Sequence, residues 1–344
     1  MKHTLWALAL LAGLVCSASA SADPLDQPAK ESPLAEKRLV NGLVHAGPKR
    51  LVAVGQRGHI LFSDDEGKSW NQASVPVSSD LTAVQFVDEK TGFAVGHDGV
   101  VLRSDDGALS WRKVFDGRVA NTLMLRQLQD MPPSAERERL LPEAKRNAEQ
   151  GPDKPLLDLH FSSASEGFVV GAYNLIFETK DGGRTWSSWY AQTDNDKLLN
   201  LYAIRAHRDG LYIAGEAGLL LKLDAKARRF VALRSAYAGS YFGLVDAPAG
   251  LIAFGMRGNA LLSRDEGATW QPLATQLQAS VTAAALSSDG KVLLADQSGG
   301  IARSADGGAT YQRVPLPAAM PLAALAVTPT GLILGGPRGL RATP

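Results

Sequence analysis

The sequence predicts an all-β fold, a ring of seven four-stranded sheets forming a β-propeller, and three observations lead there. One segment recurs seven times, its period is about 40 residues, and a glycine turn occupies the same place in each copy. VGQRGHILFSDDEGKSW (54–70), VGHDGVVLRSDDGALSW (95–111) and VGAYNLIFETKDGGRTW (170–186) align without gaps. The pattern returns as AGEAGLLLKLDAKARRF (214–230), FGMRGNALLSRDEGATW (254–270) and ADQSGGIARSADGGATY (295–311), with a truncated copy, LGGPRGLRATP, at 334–344.

The second turn residue of each copy is Gly58, Gly99, Asn174, Gly218, Gly258, Gly299 and Gly339, at steps of 41, 75, 44, 40, 41 and 40 residues. Asn is the one replacement because it tolerates the left-handed backbone of a tight hairpin best after Gly. Each unit has room for an inner run such as LTAVQFV at 81, a second strand ending at the glycine turn, a third ending at Ser/Thr-x-Asp, and a fourth beginning at Trp. A β-solenoid would repeat in about half that length.

The Ser/Thr-x-Asp-x-Gly-x-Ser/Thr-Trp motif reads as a turn staple. Its Asp accepts from turn N–H groups, its Gly supplies an unusual φ, and its Trp wedges between sheets. The residues concerned are Asp65, Trp70, Asp181, Trp186, Asp265, Trp270, Asp306 and Tyr311, with Trp111 closing a copy whose glycine is shifted. Blade seven lacks an outer strand of its own. Circular closure then calls on residues 30–38, ahead of the first inner strand at 39–44, to pair as that strand.

Residues 117–155 break the β pattern. TLMLRQLQDM has helical apolar spacing, Pro132 and Pro133 interrupt it, and Ser134 caps a second charged segment ending at Gly151. Lengthening a connection fivefold costs only about 1.4 kcal/mol of closure entropy, so a propeller carries such an insert without damage. Its position between blades two and three puts it on the rim of the glycine turns. Leu123, Met124, Leu125 and Leu128 form its apolar stripe, available either to its own propeller or to a partner. On the same rim, just before the turn glycines, Arg57, Arg257 and Arg338 offer planar donors suited to carboxylates.

Before the repeats, Lys2 and the apolar run 5–15 lead into small residues with cleavage expected after Ala20 or Ala22, the pattern of an export leader over 1–22. The propeller then occupies 23–344, and the location expected is periplasmic. The one cysteine, Cys16, falls in the leader, so no disulfide or thiol is expected afterwards. The formal charge of the whole chain is +1, and losing Lys2 brings it to about zero, so there is no basic field for nucleic acid. His45, His59, His97, His160 and His207 are scattered over four repeats, without metal-ligand spacing. No cofactor or metal and a monomeric state are expected.

With these repeats and the leader, the chain resembles the photosystem II assembly and stability factor family of Asp-box propellers. The motifs of 54–70 and the second strands at 94–96 and 169–171 carry the likeness, which covers about residues 36–342. The resemblance implies a non-catalytic scaffold on the exported face of a membrane protein or complex. Members from non-photosynthetic bacteria imply an accessory role to membrane complexes, including transporters of the resistance-nodulation-division type. The rival class is a sialidase-like glycoside hydrolase, which requires a Tyr–Glu pair facing arginines; Tyr241 and Glu216 are the residues to watch.

Overall fold

The computed structural model describes residues 23–235, 237–316 and 319–343. The leader reading of 1–22 therefore lies outside the described residues. Seven antiparallel sheets follow one another, with inner strands Val40–His45, Leu81–Phe86, Leu156–Phe161, Leu201–His207, Tyr241–Ala247, Val281–Leu286 and Ala324–Thr328. Blades one to six have four strands and blade seven has three. Second strands such as Leu51–Gly55 and Gly167–Gly171 are buried at every residue, because they are sandwiched between neighbouring sheets. The core is therefore a series of inter-blade clusters, for example Val52, Ile60, Val84 and Leu102 between blades one and two.

Turn glycines and Asp boxes fall on opposite faces. On the first face the hairpin turns of blades one to five each hold two left-handed residues, as in Arg57 (φ 56°) and Gly58 (φ 71°), and those of blades six and seven hold one, Gly299 and Gly339. The same doublet recurs at Asp98/Gly99, Tyr173/Asn174, Ala217/Gly218 and Arg257/Gly258. Glycine is needed here for a second reason, since a Cβ on Gly58 would lie 2.1 Å from the Val77 carbonyl oxygen in the segment leading to the next blade.

That contact explains how the ring closes. The expected outer strand over 30–38 does not form; Ala35–Lys37 is a 3₁₀ turn, and Ala35 is buried while Leu34 is exposed. Pro33 has no N–H to give a ladder, and the stretch lacks a period of two. Instead the Glu36 carbonyl oxygen lies 2.2 Å from where a Cβ of Gly339 would be. Glu36 and Lys37 thus cover the seventh turn as Val77 and Ser78 cover the first. A connecting loop, not a strand, covers this turn, and blades one and seven pack directly through Val40, Leu43, Ala324 and Ile333.

Residues 23–32 continue as a belt across the same face. Ala29 N–H donates to Val75 O at 3.0 Å and Ser78 N–H to Pro24 O at 2.9 Å. Leu25 is buried between blades one and two. Arg118 reaches both Asp23 and Asp26, tying the belt to the insert.

The insert is two helices, α1 (Gly117–Asp130) and α2 (Ala135–Gln150), capped by Asp116 and Ser134 as their sequences dictate. Met124 and Leu128 are fully buried against blades two and three, with Leu123 and Leu125 packed partly behind them. The apolar stripe thus faces its own propeller, the first of the two alternatives its sequence left open. A four-residue spacing gives an apolar face its direction along the helix, not the identity of what it covers.

Candidate functional site

The glycine-turn face is built from the hairpin turns, the segments between blades, the belt and the insert. A recurring clip holds the turns. The residue just ahead of the next inner strand accepts the N–H of the turn residue: Asp80 from Arg57 at 2.7 Å, Asn200 from Tyr173 at 2.9 Å, Ser240 from Ala217 and Ser280 from Arg257, both at 3.3 Å. With the backbone so engaged, the side chains project outward. Arg57, Arg257 and Arg338 are all exposed, on blades one, five and seven, and none makes a side-chain hydrogen bond or ion pair among the described residues. Arg338 differs from the other two in following Pro337 and in not being left-handed.

On the opposite face two arginines, Arg50 and Arg103, are spent on structure. Arg50 clasps Asp64 through two bonds of 2.7 Å and reaches Gly107 O on the next blade at 2.7 Å. Arg103 bonds Asp105 and then the carbonyls of Ala164 and Gly182 on blade three. These inter-blade staples were not visible in the sequence, because Arg50 stands 14 residues from Asp64 and their carbonyl acceptors belong to the next blade.

The Asp boxes occupy this second face. Asp65 accepts from Ser63 Oγ at 2.8 Å, Ser69 N at 2.9 Å and Ser69 Oγ at 2.6 Å; these bonds, the Ser69 hydroxyl first, hold its carboxyl at about 2. Asp181 has the same arrangement with Thr179 and Thr185 and the same lowering to about 2. Asp265 and Asp306 repeat it. Trp186 and Trp270 donate from the indole to Gly183 O and Gly267 O and are buried, as are Trp111 and Tyr311, whereas Trp70 is only partly covered. The copy ending at Trp111 is not shifted: Ala108 stands in the glycine place at φ 76°, and Asp106 makes the usual bonds to Ser104 and Ser110.

The central channel has a volume of about 270 Å³ and is walled by inner strands. One inner-strand position reads Gly42, Ala83, Asp158, Ala203, Gly243, Ala283 and Ala324 around the ring. The single carboxylate, Asp158, accepts from Ile204 N and Arg205 Nη1, both at 2.9 Å, and burial raises its affinity for a proton. Burial and then Arg205 lower His160 to about 4, so it is neutral at physiological pH.

The hydrolase constellation does not assemble. Tyr241 is fully buried with its hydroxyl 2.8 Å from Ser235 Oγ, while Glu216 Oε2 accepts from Asn200 N. His59 is buried against the Lys30 carbonyl, whereas His97 is exposed. No group of three metal-ligating side chains occurs among the described residues, and no described helix is long and apolar enough to cross a membrane.

A ring of seven blades with the hydroxyl–Asp staple recurring between third and fourth strands defines a class of β-propellers built from Asp-box repeats. Within that class the chain belongs to the photosynthesis system II assembly factor YCF48 family, whose model matches residues 2–105 and 146–240, more than half its length. The unmatched stretch between them holds the end of blade two, all of α1 and most of α2.

Two relatives described as photosystem II assembly lipoprotein Ycf48 align over short stretches. The one from Synechococcus sp. (strain CC9902) is 35% identical over 65 residues, 19% of this chain and 20% of the relative. The one from Prochlorococcus marinus (strain MIT 9313) is 40% identical over 58 residues, 17% and 16% respectively. The match thus spans about a fifth or less of those proteins. Among solved structures, YCF48 bound to D1 peptide has a TM-score of 0.63 at 16% identity, covering 90% of this chain and 94% of that one. YCF48 from Cyanidioschyzon merolae gives the same score and identity, with 90% and 97% covered. The WD40 propeller domain of Doa1 follows at 0.61 and 12%, with 92% and 95% covered.

Proposed function

We propose that this protein is an exported, non-catalytic assembly or stability factor that holds a segment of a membrane protein on its glycine-turn face. The observation that carries the reading is that Arg57, Arg257 and Arg338 stand exposed on this rim with their side-chain donors unspent, whereas Arg50 and Arg103 on the opposite face are spent as inter-blade staples. Membership in the YCF48 family and the likeness to a propeller holding a D1 peptide support a polypeptide ligand.

The name lipoprotein on both aligned relatives supports export. A periplasmic monomer serving a membrane complex, with a resistance-nodulation-division transporter as one such complex, is the finer form of the proposal. Affinity capture of the tagged protein in mild detergent tests it. Recovery of one membrane protein, lost on replacing all three arginines with Ser, is the expected result. Recovery of no membrane protein would overturn it.

A further inference from the structure

Where α2 lies over blade three, a cavity of about 480 Å³ opens beside the turn of Tyr173. Three parts of the chain converge on it: the face of α2 carrying Glu143, Arg146, Asn147 and Gln150; the loop of Asp153 and Lys154; and the blade-three connection with Tyr190 and Leu198. Tyr190 is 1% exposed, and its hydroxyl has no hydrogen-bond partner in the protein. A buried phenol without a partner is costly and calls for one.

The polar groups of the cavity are unevenly spent. Its acceptors are partly engaged: Glu143 Oε2 takes Arg146 at 3.0 Å, Asp153 Oδ1 takes Lys154 at 2.6 Å, and Gln150 Oε1 takes Lys154 at 2.9 Å, which leaves one oxygen of each carboxylate. Its donors are in surplus. Tyr190 is one, and burial keeps its phenol protonated well beyond the usual range. The buried Asn147 amide makes no side-chain hydrogen bond among the described residues, and Arg146 uses only Nη1. The lining charges cancel, so selectivity comes from free donors and not from a net field.

We propose that this cavity binds a carboxylate of an extended peptide, with Tyr190, Asn147 and Arg146 as its donors and Tyr173 standing at the mouth. The proposal rests on the reading of this face as a polypeptide-docking surface and names the chemistry of one anchor. It belongs to this chain's insert, because α2 supplies one wall.

The test uses the purified protein with ¹³C-labelled tyrosine rings, read at Tyr173, whose signal Y173F identifies. Three probes are titrated: Ac-Gly-Glu-Gly-NH₂, Ac-Gly-Gln-Gly-NH₂ and Ac-Gly-Gly-OH. Saturable shifts with the Glu probe, the free-terminus probe or both are expected, and which of them binds identifies the carboxylate as side chain or terminus. Binding of the Gln probe should be about tenfold weaker or less detectable still. Y190F should weaken the carboxylate probes about tenfold without lowering the melting temperature, since it removes a hydroxyl that has no partner. Equal binding by Y190F, or no saturable shift with any probe, overturns the pocket. Capture of a membrane protein alongside such a failure leaves the scaffold standing, and probe binding without capture does the reverse.

Discussion

Asn174 offers the sharpest test of the physical account, because repeat comparison and structure disagree about it. The other six blades have Gly at this turn, and Asn174 holds φ at 66°, so matching the repeat with Asn174→Gly would relieve backbone strain. In the structure, however, Asn174 is 1% exposed and ties down the following connection. Its Nδ2 donates to Tyr190 O and Thr193 Oγ1, both at 2.9 Å, and its Oδ1 accepts from Thr193 Oγ1 at 3.0 Å and Asn195 Nδ2 at 2.9 Å. Each such bond contributes about 0.5–1.5 kcal/mol net, and groups stranded without a partner add to the loss. Against this stands about 1 kcal/mol of relieved left-handed strain, partly cancelled by the unfolded-state freedom of Gly. The expected loss for Asn174→Gly is about 2–4 kcal/mol, a fall in melting temperature of about 4–8 °C. Asn174→Ala should lose about 1 kcal/mol more, because it keeps the strain and loses the bonds. Thermal and urea unfolding of the three proteins would measure this, and an Asn174→Gly variant as stable as the parent would refute the reasoning.

Three further outcomes are expected. The Asp65 and Asp181 carboxyls titrate near 2 in the fold against 3.8 ordinarily, so the stability they confer is full above about pH 4 and is lost as pH falls towards 2; melting temperatures measured from pH 5 to 2 should fall in that window, and less steeply in Asp65→Asn. Trp186 packs its ring 5.0 Å from Phe115 and edge-on to Phe161, so Trp186→Ala should cost about 3–5 kcal/mol in urea unfolding. Ala108→Gly relieves about 1 kcal/mol of left-handed strain but removes a fully buried methyl worth about 0.8 kcal/mol, so the midpoint should barely move; a large loss would show that the methyl dominates.

The ring was legible because its determinants are local and repeated: a turn that only Gly or Asn adopts easily, and a hydroxyl–Asp–Gly staple eight residues long. Ser134 and Gly151 bounded α2 for the same reason, each being a cap read within one turn of the helix. What failed depended on distant partners. Nothing within 30–38 shows that Gly339 leaves no room for a side chain and so needs a backbone laid across it. The stripe of Met124 and Leu128 was visible, but the aromatic cluster of Phe115, Phe161 and Phe177 that it covers is assembled from two blades. Tyr190 carried no signal at all, since its isolation is created by α2 arriving from 40 or more residues upstream. Ala108 misled for a different reason: the neighbouring Gly107 made a substituted box look displaced.

The loop over Gly339 joins positions about 300 residues apart, and closing so long a circuit costs about 5 kcal/mol of chain entropy. No subset of blades can meet that cost alone, because the clasp needs Glu36 and Lys37 from one extremity and the final hairpin from the other. Assembly therefore resembles a bracelet, whose links form one by one while the fastening waits until all are threaded. The fastening is shared between the belt of residues 23–37 and the seam where Val40, Leu43 and Leu51 of blade one meet Ala324, Ala326 and Ile333 of blade seven, so both extremities are needed before the circle holds.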